Sequence, residues 1–184
     1  MKSFAELFAS KREEVVHAWR RRILDSYPSA AKGAFCKKKD DSRNPIGSAI
    51  EEGTDAIVGL LLKGGDKAEM TAAVDGIVRM RAVQEFTPSE AVAFVFELKP
   101  VLDDVLAPAA RAGGHDREIR DLGGRVDEVA LAAFDVYLAC REKIWELKAA
   151  MMRDRSYKLM ERAGLLWEEE GAKDTSDAER GDAR

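Results

Sequence analysis

Histidine and cysteine are scarce, with two of each in 184 residues. Cys36 and Cys140 stand far apart and outside any CxxC pairing, so they supply neither a disulfide framework nor a zinc site. Unpaired thiols fit a reducing compartment. Five prolines and 14 glycines are too few for the turns of a β-sandwich or barrel, and no segment alternates apolar and polar residues as a strand would. The longest apolar runs are Ile57–Leu62, Ala91–Phe96 and Val129–Phe134, far short of the roughly 18 residues a membrane span needs. Charges at Glu6, Lys11, Arg12 and Glu13 occupy the place of a signal peptide's apolar segment. A cytoplasmic chain without membrane insertion is expected. Net charge is also small: 30 basic against 34 acidic residues give −4. The segment Glu168–Arg184 holds 3 basic and 7 acidic residues, which leaves the rest neutral and without a bulk attraction for nucleic acid.

What remains is 46% hydrophobic and 35% charged, the composition of one helical domain. Its helix starts are written in capping signals. Ser3…Glu6, Asp66…Glu69 and Thr87…Glu90 each set a capping side chain three residues before a glutamate, the reciprocal capping box. Asn44-Pro45 and Thr87-Pro88 place proline at the first helical position, where its missing N–H costs nothing. These signals predict helices over Phe4–Ser26, Pro45–Lys63, Lys67–Glu85 and Pro88–Ala107, the last kinked by Pro100. In the first, Phe4, Leu7, Phe8, Val15, Trp19, Ile23 and Tyr27 form an apolar face opposite Glu13, His17 and Arg21.

A final helix is expected from about Arg125, after Gly123-Gly124 ends a short turn. Val126, Val129, Ala133, Val136, Cys140, Ile144, Leu147 and Met151 recur there at three- and four-residue steps. Carried to Trp167, such a helix would be roughly 60 Å long, against about 40 Å for a globule of ~150 residues. The apolar stripe therefore predicts a homodimer interface, with Val136→Glu and Ile144→Glu expected to dissociate it. The expected organisation is a helical domain over 1–166, its long last helix at about 125–166, and an acidic, disordered tail over 167–184.

Enzyme-like chemistry finds little support. No phosphate-cradling glycine loop, GxSxG elbow or HExxH motif is present. His17 lies on a charged helix face and His115 follows Gly113-Gly114, so neither is placed for haem. Cys36, next to Lys37, Lys38 and Lys39, is a candidate redox-responsive thiol, against an ordinary loop cysteine; Cys140 falls on the apolar stripe. The basic group Lys32, Lys37, Lys38, Lys39 and Arg43 is interrupted by Asp40 and Asp41 and reads as a solvated loop. Helix Lys67–Glu85 is sharper. At about 100° per residue, Arg81 and Gln84 fall within roughly 40° of Met70, on the face of Val74 and Ile77, whereas Arg79 points opposite. A buried Arg81 requires a carboxylate or several carbonyl acceptors. Either it pins this helix to the next, or it lines a ligand pocket with Trp19, Gln84, Phe94 and Leu98.

The stretch RMRAVQEFTPSEAVAFVFELK, Arg79–Lys99, resembles the N-terminal domain of RsbRD, the RsbT co-antagonist family, with Arg79, Arg81, Gln84, Phe86, Pro88 and Ser89 at its corner. Weaker matching blocks are Trp19, Ile23–Pro28, Asn44–Gly47, Phe134–Tyr137 and Cys140–Lys143. The resemblance implies a globin-like, all-α fold without haem or other cofactor. It also implies a non-enzymatic sensory or regulatory input module of stress signalling, dimerising through its C-terminal helices. In stressosome relatives such a domain precedes a phosphorylated STAS domain. These 184 residues leave no room for a further domain of roughly 100 residues, so output is expected through another signalling protein. The rival reading is a small-molecule or haem sensor using the pocket above.

Overall fold

The computed structural model describes residues 3–27, 45–84 and 86–165, and the chain divides into two units, Met1–Lys143 and Ile144–Arg184. Seven helices account for the described residues, without a strand among them. They are α1 (Phe4–Asp25), α2 (Pro45–Lys63), α3 (Lys67–Val83), α4 (Pro88–Phe96), α5 (Leu98–Val105), α6 (Ala107–Ala112) and α7 (Asp116–Arg162). The three capping boxes form as the spacing predicts: Ser3, Asp66 and Thr87 each accept from the backbone of the glutamate three residues on, which answers with its carboxylate. Each thereby satisfies N–H groups that the first turn of a helix leaves without partners.

In the first unit these helices surround one apolar core. α1 supplies Phe8, Val15, Trp19 and Ile23; α2 adds Ile57 and Val58; α3 adds Val74 and Ile77; α7 closes it with Val126, Val129 and Ala133. Full burial of each large apolar side chain contributes roughly 1.5–3 kcal/mol. Polar ties fix the registers. Arg20 donates to Thr54 Oγ1 (2.7 Å) and pairs with Asp55, which also receives Arg12 at 3.0 Å, joining α1 to α2. From α7, Arg125 donates to the carbonyls of Leu60 and Leu61, each at 3.2 Å, meeting the negative end of α2 with a cation.

Two expectations about elements are corrected. The single helix Pro88–Ala107 is instead α4, α5 and the start of α6. Pro100 lacks the N–H that would bond to the Phe96 carbonyl, and its ring collides with that carbonyl; α4 accordingly ends at Phe96 and α5 resumes at Leu98. Pro108 acts similarly, standing in the first turn of α6 after the break at Leu106. The second correction concerns Gly123-Gly124, which interrupts nothing. α7 begins at Asp116 and passes through both glycines, because the buried stripe of Leu122, Val126 and Val129 outweighs about 1 kcal/mol of lost helix propensity per glycine. The actual stops are Gly114 (φ 76°) before α7 and Gly164 (φ 66°) after it. At each, the next residue's N–H bonds five residues back, His115 to Ala110 and Leu165 to Met160, a left-handed cap that suits glycine.

Candidate functional site: a buried arginine beside a cleft

The corner between α3 and α4 is built around Arg81, which is 1% exposed. Its Nη1 donates to the Glu90 carbonyl at 2.9 Å and its Nη2 to Ser26 Oγ at 2.9 Å. Three rings enclose the guanidinium: Tyr27 and Phe86 with centroids at 5.1 Å and Phe94 at 4.8 Å. Each such contact contributes about 0.5–2 kcal/mol, toward a desolvation cost of several kcal/mol. Among the described residues no carboxylate forms an ion pair with Arg81, and its Nε–H has no hydrogen-bond acceptor. Burial pushes the Arg81 pKa down, with Tyr27 opposing the shift. The corner is locked from α7 as well, where Tyr137 Oη donates to the Phe86 carbonyl (2.6 Å) and Arg141 Nη1 to that of Ala82 (3.2 Å).

Arg81 also forms part of the wall of a cleft of about 400 Å³ between the end of α1 and α4. Ile23, Phe86, Ala93 and Phe94 give it apolar lining, and Arg22, Asp25, Glu90 and Glu97 give it charge. Three of these charges are already engaged: Arg22 pairs with Glu97 at 3.0 Å and with Asp104 at 3.3 Å, while the Glu90 carboxylate accepts from Thr87 N and Oγ1. Those Thr87 bonds, the side-chain one first, hold the Glu90 pKa below the usual carboxylate value.

Of the residues predicted to share a pocket, Arg81 and Phe94 do so. Trp19 and Leu98 instead lie in the core at 0% exposure; the Trp19 indole stacks on Phe94 at 6.1 Å and donates to its carbonyl at 2.7 Å. Gln84 is exposed, ending α3 as its C-cap with an N–H to Met80. Its predicted place on the buried face is therefore a correction, because the helix stops before its side chain can turn inward. Arg79 is exposed and bonded to Asp75 at 2.6 Å, Pro88 opens α4, and the Ser89 hydroxyl lies 3.3 Å from that of Thr87. Phe86 packs edge-on against Tyr27 at 5.6 Å. The reading from sequence missed Ser26, Tyr27, Phe86 and Glu90 as the surroundings of Arg81. The available signal was the nearness of Arg81 in sequence to Phe86 and the Thr87–Glu90 box; nothing local pointed to Ser26 and Tyr27.

His17 is exposed beside Arg21 (3.4 Å), and His115 lies near Phe4, 5.8 Å between rings, and Glu118 at 3.3 Å; neither lines the cleft. Cys36 and the basic residues Lys32, Lys37, Lys38, Lys39 and Arg43 lie outside the described residues, as does the acidic tail over 167–184. Cys140 is buried, and that burial pushes its thiol pKa up. The predicted dimer stripe is corrected more substantially. Val126, Val129, Ala133, Val136 and Cys140 are all buried in the chain's own core, leaving Ile144 half-buried and Leu147 and Met151 exposed. Val136→Glu would thus unfold the first unit instead of dissociating a dimer. The exposed apolar residues on α7 in that unit are Leu131, Phe134 and Leu138; in the second they include Trp145, Met152 and Leu159.

An all-α module with a buried arginine pinning one helix corner is the class these features define. The chain belongs to the family described as the RsbT co-antagonist protein RsbRD N-terminal domain, which matches residues 13–152, and that family is one of regulatory signalling domains. A protein of Archaeoglobus fulgidus described as uncharacterized is 32% identical over 140 residues, covering 74% of this chain and 82% of that one. No solved structure matches the chain. No helix among the described residues is long and apolar enough to cross a membrane.

Proposed function

We propose that this chain is a non-enzymatic input module of a cytoplasmic signalling system, acting as a homodimer through α7 and passing its signal to a further signalling protein. Family membership supports the regulatory role. The observation that carries the homodimer is the uncovered apolar surface of α7. Leu131 is 68% exposed, and Phe134 and Leu138 follow it at helical spacing in the first unit. Seven-residue steps in the sequence then lead to Trp145, Met152 and Leu159, each more than half exposed in the second. Large apolar side chains left in water at heptad spacing are the pattern of a helix that meets another helix. Six of them per copy are of the order needed for the ~1,000 Å² that a specific interface buries. Sedimentation equilibrium of the full chain is expected to give twice the chain mass of 20.3 kDa. A monomer at tens of micromolar would refute the homodimer.

A further inference from the structure

Among the described residues, no carboxylate answers the charge of Arg81. A buried guanidinium in a folded protein ordinarily meets a carboxylate or a full set of carbonyls. This one meets one carbonyl, one hydroxyl, the polar end of Tyr27 and three ring faces, and its Nε–H is without an acceptor among the described residues. The same side chain walls a cleft of about 400 Å³, within the range of small-ligand sites. An unanswered buried donor and a cavity beside it are separate observations, and they coincide.

We propose that the cleft is a binding site for a small monocarboxylic acid with an apolar body, whose carboxylate is held by the charge of the Arg81 guanidinium in the cleft wall and whose body lies against Ile23, Phe86, Ala93 and Phe94. The proposal goes beyond the regulatory reading and stands whether or not the chain dimerises. A carboxylate matches the planar fork of a guanidinium, and charge-assisted bonds in a dry setting are worth more than in water. The rest of the wall selects among anions. Asp25, Glu90 and Glu97 are acidic and Arg22 is already paired with Glu97, so a phosphate or a nucleotide would bring several negative charges against them. One negative charge at Arg81 and carbon elsewhere is the composition that fits.

The test is calorimetric titration of the full chain with butanoate, benzoate, phenylacetate and indole-3-acetate, each beside its neutral amide, and with inorganic phosphate. Expected is millimolar or tighter binding of at least one acid, weakened about 10- to 100-fold in its amide, as loss of a charged hydrogen bond predicts, with phosphate not binding. Arg81→Gln removes the anchor. Because that change also disturbs the corner, Ala93→Trp serves as the second variant: Ala93 is exposed at the cleft, so the indole blocks the cavity while the melting temperature stays at its wild-type value. Loss of acid binding in Ala93→Trp supports the site. Failure of all four acids to bind, equal binding of acid and amide, binding of phosphate, or acid binding that survives Ala93→Trp would each overturn it.

Discussion

Gly53 sits where α2 meets α3, and a Cβ there would lie 2.8 Å from Ile77 Cδ1 and 3.0 Å from the Ala73 carbonyl oxygen. The Ile77 methyl could turn aside, but the carbonyl belongs to a helix and cannot. Gly53→Ala is expected to lower stability by about 1–2 kcal/mol, overpacking exceeding the helix-propensity gain. Gly76→Ala, whose Cβ would meet Ala49 at 3.4 Å, is expected to be neutral or slightly stabilising; paired urea melts read the contrast. Glu90 yields a pH prediction. Thr87 holds its folded pKa below the ordinary value of 4.5, so the linked stabilisation is present above that value and is lost as pH falls through the folded one. Thr87→Ala should raise the Glu90 midpoint in an NMR titration, and the stability gap between variant and wild type should narrow in acid. Arg81 was legible as a buried residue, since helical periodicity alone sets its face. Its neighbours at the end of α1 were not, because Ser26 and Tyr27 come from 55 and 54 residues away and no local spacing records that meeting.

At the scale of elements, capping chemistry carried most of what could be read. α2 runs over Pro45–Lys63 as predicted, and the three boxes mark the starts of α1, α3 and α4. Misreadings came from residues whose local cost competes with packing. Pro100 was read as a kink but breaks the helix, since donor loss and steric clash act on the same Phe96 carbonyl. Gly123 and Gly124 were read as a break but are absorbed, because Leu122 and Val126 are buried on either side of them. A Cβ at either glycine would have nothing within 4 Å. Gly123→Ala and Gly124→Ala should therefore each raise stability by about 0.5–1 kcal/mol, through the propensity gain and a less flexible unfolded chain. An unchanged or lowered melting temperature would mean that α7 is not helical there.

For the whole molecule, periodicity found the last helix but took for an outward face one that the chain itself buries. Val126, Val129, Ala133, Val136 and Cys140 form the more continuous apolar stripe, and the chain uses it for its own core. A helical pattern reports that a face is buried; it does not report whether the partner is the same chain. The second stripe is harder to see in sequence because Arg141 and Glu142 stand between Leu138 and Trp145. It becomes visible only once the first is accounted for by the chain's own core. Separating the two stripes by mutation tests the homodimer most directly. The measurement is sedimentation equilibrium with circular dichroism on Leu131→Glu/Leu138→Glu beside Val136→Glu. The account predicts that the double variant stays helical and runs as a monomer, whereas Val136→Glu loses its cooperative thermal transition. A helical double variant that remains at twice the chain mass would contradict it.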